Sequence, residues 1–156
     1  MTIQLRNSPG RPPRVVIDTA VVVSALVFGG GSAALLRRAW QSGRCRPMVC
    51  KTTLADLAAK LAHPRLQLSR SEHENLIGEY LPHAVRVRVA AADEGAAAGD
   101  PMALAFARLA MAGRAHALVS GDPELLALGV RFICPVLTLD DFLEALKRPR
   151  TPTPAQ

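Results

Sequence analysis

Arg14-Val15-Val16-Ile17-Asp18 is an apolar run that stops at an acid, and Ala117-Leu118-Val119-Ser120-Gly121-Asp122 repeats the pattern far along the chain. Each carboxylate falls where a buried strand would end. In an open parallel sheet, ligands collect in the crevice beyond the carboxyl ends of the strands, where neighbouring strands send their connections to opposite faces. Two acids converging there point to a divalent cation.

Around these runs, strand-like segments at 14–18, 46–50, 84–89, 116–120 and 131–136 alternate with helical patterns. That alternation predicts an α/β fold with a central parallel sheet. Thr53, Leu54, Leu57, Ala58 and Leu61 mark a helix that ends before His63-Pro64 and carries Asp56. Ser69-x-x-Glu72 reads as a capping box, and Thr138-x-x-Asp141 opens a last helix bearing Phe142, Leu143 and Leu146. Ala-rich residues 102–112 predict a helix buried on most sides, with Gly113 as its stop. Val85, Val87 and Val89 alternate with Arg86 and Arg88, as in an edge strand. The Ala-Gly stretch 90–99 reads as a loop.

A chain of 156 residues fits one domain, large enough to bury about two thirds of its unfolded surface. Three regions are expected: a flexible tail over 1–13, a domain over 14–147 and a second tail over 148–156. Apolar residues make up 49% and aromatics only 4%, so the core is aliphatic and base-stacking platforms are scarce. The net charge of +6 suits a polyanionic partner, though composition alone is a weak signal. Cys45, Cys50 and Cys134 lack CxxC spacing and read as reduced, buried, small apolar residues. The longest apolar run, Val21 to Phe28, is far shorter than the roughly 20 residues of a membrane helix. A cytoplasmic protein without a membrane segment is expected.

Asp18, Asp56, Asp100 and Asp122 form a candidate carboxylate cluster for Mg or Mn, since hard cations take oxygen ligands. A water activated there would attack a phosphodiester. Each acid also has a purely structural reading. Asp18 and Asp122 are good helix N-caps, Asp122 preceding Pro123 at the first helical position. Asp100-Pro101 has the same look, and Asp56 alone reads as a solvated helix acid.

The stretch from Arg14 through Asp18, Ser24 and Phe28 to Gly31 resembles the opening of PIN-domain proteins, specifically toxin components of toxin-antitoxin systems. The likeness continues through Leu54 to Leu61, Asp100-Pro101, the helix to Gly113, Ala117 to Leu126, and Pro135 to Leu143. It implies a three-layer α/β/α fold of about five strands, in the order 3-2-1-4-5. It also implies an Mg- or Mn-dependent endoribonuclease site in which Asp18, Asp56 and Asp122 are catalytic. On that reading Asp18, Asp100 and Asp122 hold the metal, and the partners are RNA, a cognate antitoxin protein and a second copy of the chain. The face of such a homodimer is expected on the helix around Leu54, Leu57 and Leu61.

The departures from that pattern deplete the site. Ala20 stands where the opening usually has Asn, Ala103 where a third carboxylate is usual, and His116 where Asp is frequent; Asp56 is one methylene shorter than Glu. Asp100, three residues before Ala103, is one helical turn away and a candidate replacement; Glu124 and Asp93 are others. Two functions stay open: a weak or specialised ribonuclease, and a catalytically degenerate PIN domain that binds RNA or protein. Ser24 is a supporting residue for Asp18, with helix packing as the alternative. Arg37, Arg38, Arg44 and Arg46 are the RNA-binding candidates, with solvated surface charge as the alternative. His63, His73, His83 and His116 show no ligand spacing, and Gly29-Gly30-Gly31 lacks the residues of a P-loop and reads as a turn.

Overall fold

The computed structural model describes residues 4–90, 101–128 and 134–148. Five strands, β1 (Arg14–Ile17), β2 (Arg46–Val49), β3 (Val85–Arg86), β4 (Ala117–Val119) and β5 (Val136–Leu137), form one sheet in the order β3-β2-β1-β4-β5. Every neighbouring pair is parallel, so both the layering and the order match those expected. The helices are α1 (Thr19–Val27), α2 (Gly31–Gln41), α3 (Lys51–Leu61), α4 (Arg70–Tyr80), α5 (Pro101–Ala112), α6 (Pro123–Leu128) and α7 (Leu139–Lys147).

The alternation of side chains along each strand sorts the core into two halves. From β1, Val15 and Ile17 enter the larger apolar cluster, with Leu36, Trp40, Leu57, Leu61 and Phe142, while Val16 enters the other with Phe106, Leu109 and Leu125. Ala117 and Val119 of β4 face the first cluster and Leu118 the second. A strand apolar on both faces must be covered on both, which makes the sheet the middle of three layers.

Local signals act as the sequence suggested, with instructive exceptions. Ser69 and Glu72 close a reciprocal capping box on α4, and Thr138 Oγ1 accepts from Asp141 N at 3.2 Å to start α7. Gly30 and Gly31 turn the chain by 92° from α1 into α2, with Gly31 at φ +64°. The helix α5 does end at Gly113, but the left-handed residue is Arg114, at φ 52°. The bonds Ala115 N to Ala110 O and Arg114 N to Met111 O close the Schellman turn around it. Gly113 instead sits under Met48: a Cβ there would stand 2.0 Å from Met48 Cε, so the methionine side chain would have to shift.

Three expectations need correction. Residues 4–13 are not a loose tail, because Leu5 is in the core, Asn7 is buried, and Asn7 Nδ2 donates to Arg11 O at 2.7 Å. Leu57 and Leu61 are buried within the domain, which leaves Leu54 as the one partly exposed leucine of the three expected on a dimer face. β3 spans two residues, since only Val87 N continues the pairing, to Val49 O at 2.8 Å. The expected loop over 90–99 (beyond Ala90), the start of the fifth strand at 131–133 and the tail from 149 lie outside the described residues.

The three cysteines are free and buried, as expected. Burial pushes the Cys45 thiol up to about 12 and raises that of Cys134. Burial likewise raises the Tyr80 hydroxyl, whose ring meets Trp40 edge-on at 4.9 Å.

Candidate functional site

Asp18 follows β1 directly and is pinned by the sheet, its N–H donating to Val119 O at 2.9 Å. It is also the N-cap of α1, its Oδ1 accepting from Ala20 N at 3.3 Å. The capping role therefore uses one carboxylate oxygen and leaves the other for a different partner. That partner is Ser120, whose Oγ donates to Asp18 Oδ2 at 2.8 Å.

Ser120 ends the run from β4, is fully buried, and is held by its own N–H to Leu137 O at 2.9 Å. Its hydroxyl also accepts from Asp122 N at 2.9 Å. One oxygen thus ties the two crevice acids together, donating to one and fixing the backbone of the other. Asp122 caps α6, with Oδ1 accepting from Glu124 N at 2.9 Å. Both acids are half-buried and sit at the carboxyl ends of adjacent parallel strands, where the connections leave toward opposite layers.

Ser120 is the functional residue that sequence reasoning passed over. Its run carries only part of the signal: a hydroxyl two residues before an acid at the end of a buried strand points to the Asp122 loop and not to Asp18. The candidate chosen instead, Ser24, is half-buried on α1, and the hydroxyl that meets Asp18 is that of Ser120.

The remaining acids stand differently. Asp56 is paired with Lys60 Nζ at 2.8 Å on α3, with its side chain 17% exposed. Glu124 is exposed on the first turn of α6. Asp100 and Asp93 lie outside the described residues. Among the described residues no group of three or more His, Cys, Asp and Glu is close enough to hold a metal ion together. Ala103, in place of a usual acid, is buried in the apolar cluster against Phe106 and Leu109. His116 is not part of the crevice: its Nδ1 accepts from Arg14 N at 2.9 Å at the opposite end of β1. Its departure from the usual Asp therefore does not deplete the site.

The donor set suits a hard cation. Mg in particular is commonly held by one or two carboxylates plus waters and substrate phosphates, not by a full protein cage. Asp18 and Asp122 supply that minimum, and Ser120 orients the first of them.

The four arginines singled out for RNA are not brought together on this crevice. Arg46 begins β2 opposite Arg14, at the amino end of the sheet, and Arg44 precedes it. Arg37 is engaged with Glu79 Oε2 at 2.6 Å, and Arg38 is exposed on α2.

A family model described as PIN domain matches residues 14–124. The crystal structure of VapBC2 from Rickettsia felis bound to a DNA fragment from their promoter superimposes with a TM-score of 0.54 at 14% identity, covering 80% of this chain and 96% of that one. The structure of PAE2754 from Pyrobaculum aerophilum gives a TM-score of 0.46 at 13% identity, covering 94% of this chain and 98% of that one. No curated protein matches the chain.

Proposed function

Because the chain belongs to the PIN-domain family, we propose that it is an Mg- or Mn-dependent endoribonuclease acting as the toxin of a toxin-antitoxin pair. The observation that carries this reading is the pair Asp18 and Asp122, linked through the buried hydroxyl of Ser120. Carboxylates that hold a cation are themselves oriented by hydrogen bonds, and Ser120 supplies one to Asp18.

In this reading Asp18 and Asp122 hold the cation and Ser120 fixes the orientation of the Asp18 carboxylate. When bound, the cation supplies positive charge to a phosphate oxygen and a water acidified enough to act as nucleophile near neutral pH. The chain's own contribution is geometric: β1 and β4 fix the spacing of the two acids, and the α1 and α6 caps orient them. By the family resemblance Asp56 and Asp100 are the candidates for further acids of this site, Asp56 being paired with Lys60 in this structure. The similarity to VapBC2 supports an antitoxin partner; an acidic crevice would suit a basic side chain from it.

The alternative is a binding module without turnover, favoured by the buried Ala103 and by the Asp56–Lys60 pair. Cleavage of a labelled RNA in Mn or Mg, compared with Asp18→Asn and Asp122→Asn, separates the two. Cleavage that needs metal and is lost in both variants supports the ribonuclease. RNA left intact at millimolar metal by the native protein sinks it in favour of the binding module.

A further inference from the structure

Among the described residues, three unpaired cations stand at the carboxyl end of the sheet, and they are not those the sequence suggested. Lys51 opens α3, while Arg86 and Arg88 stand two residues apart on the edge chain that contains β3. These three, with Thr52, line a cleft of about 650 Å³. All three cations are exposed, and none has an ion-pair partner among the described residues. Among the described residues the rest of the lining is apolar or a thiol, with no carboxylate and no aromatic ring.

The cleft lies at the same end of the sheet as Asp18. Register places Val16 beside Met48 and Met48 beside Val85, and pairs Val49 with Arg86. Ile17, Val49 and Arg86 therefore form one row, with Asp18 and Cys50-Lys51 just beyond it. Two strand spacings, roughly 10 Å, separate Asp18 from the edge chain. Arg86 and Arg88 are themselves about 6.6 Å apart along the extended backbone. That spacing presents a short ladder of positive charge.

We propose that this cleft binds the phosphate backbone of single-stranded RNA and leads the strand to the Asp18–Asp122 crevice. The proposal rests on the nuclease reading for its direction, but the binding itself does not. Three cations with no carboxylate among the described lining residues select phosphate, and phosphate contacts are made without regard to sequence. The amide end of α3 adds partial positive charge on the same side.

The test is fluorescence anisotropy of a labelled single-stranded RNA in EDTA, across a salt series, so that no cleavage intervenes. Lys51→Ala/Arg86→Ala/Arg88→Ala is compared with native protein and with Arg44→Ala/Arg46→Ala, and melting curves confirm that the variants fold. Each cation lost from a single-strand site removes about 0.7 from the slope of log affinity against log salt. The triple variant is expected to lose about 2 in slope and to bind more weakly at low salt, with the Arg44/Arg46 variant unchanged. Lys51→Gln alone is expected to lose about a third of that shift. Native slope and affinity in the triple variant would overturn the proposal, as would an equal loss in the Arg44/Arg46 variant. Displacement of RNA by polyglutamate as readily as by unlabelled RNA would overturn it in favour of an acidic protein. Slope loss without cleavage in any metal leaves the cleft standing and sinks only the nuclease reading.

Discussion

Replacing Ser120 with Ala removes one buried oxygen and with it two hydrogen bonds, to Asp18 Oδ2 at 2.8 Å and from Asp122 N at 2.9 Å. The first is to a carboxylate, a class worth about 1.5–3 kcal/mol, and the second is neutral, worth about 0.5–1.5 kcal/mol. Asp18 is half-buried and water can replace part of what it loses, so the lower end of the first range applies. A loss of about 2–3 kcal/mol follows, or roughly 5–10 °C in Tm for a domain of this size. Ser120→Thr retains the hydroxyl and should lose less unless the buried site cannot take the added methyl. The assay is urea unfolding of both variants, with a cycle that adds Asp18→Asn. A coupling of about 1 kcal/mol or more between positions 18 and 120 is expected. Additivity within about 0.3 kcal/mol, or a Ser120→Ala midpoint equal to native, would show that the hydroxyl does not hold the acid and refute the reasoning.

Gly113→Ala places a Cβ 2.0 Å from Met48 Cε, a side chain only 4% exposed with little room to move, and should cost about 1–3 kcal/mol in urea unfolding. Combining it with Met48→Ala should cost less than the sum of the two single changes. Leu61→Ala should destabilise the fold by about 2–5 kcal/mol, because the side chain is fully buried in the domain, and leave the sedimentation behaviour of the folded protein unchanged. The backbone and hydroxyl of Ser69 hold the Glu72 carboxyl below its usual range. A lowered folded pKa gives stability that is present above the unfolded value and lost as pH falls through the folded one. Glu72→Gln should therefore melt below native at pH 7 and converge with it in acid, as followed by circular dichroism.

Most of the fold was legible because the two strands flanking the crevice carry apolar side chains on both faces, and only a covered parallel sheet accepts that. Ser69, Glu72 and Thr138 named their helix starts through local hydrogen bonds that distant contacts do not override. The misreadings share one cause: they concern residues whose role is set by something far away in sequence. Leu5 looked like tail because Pro9, Gly10, Pro12 and Pro13 follow it, yet the core is within reach. Gly113 looked like a left-handed cap, but Met48, from another strand, decides its size. Arg44 and Arg46 looked close to the site along the chain, while the parallel register puts them at the wrong end of the sheet. Ser120 was hidden for the converse reason. Nothing in its own run shows that its hydroxyl faces Asp18, which is brought beside it only by the pairing of β1 with β4.

The central claim is that Asp18 and Asp122 form one divalent-cation site, and isothermal calorimetry of Mn and Mg with the full chain, Asp18→Asn and Asp122→Asn tests it most directly. The account predicts saturable binding by the native protein that is lost in both variants. No heat of binding at millimolar metal, or binding that survives both substitutions, would contradict it.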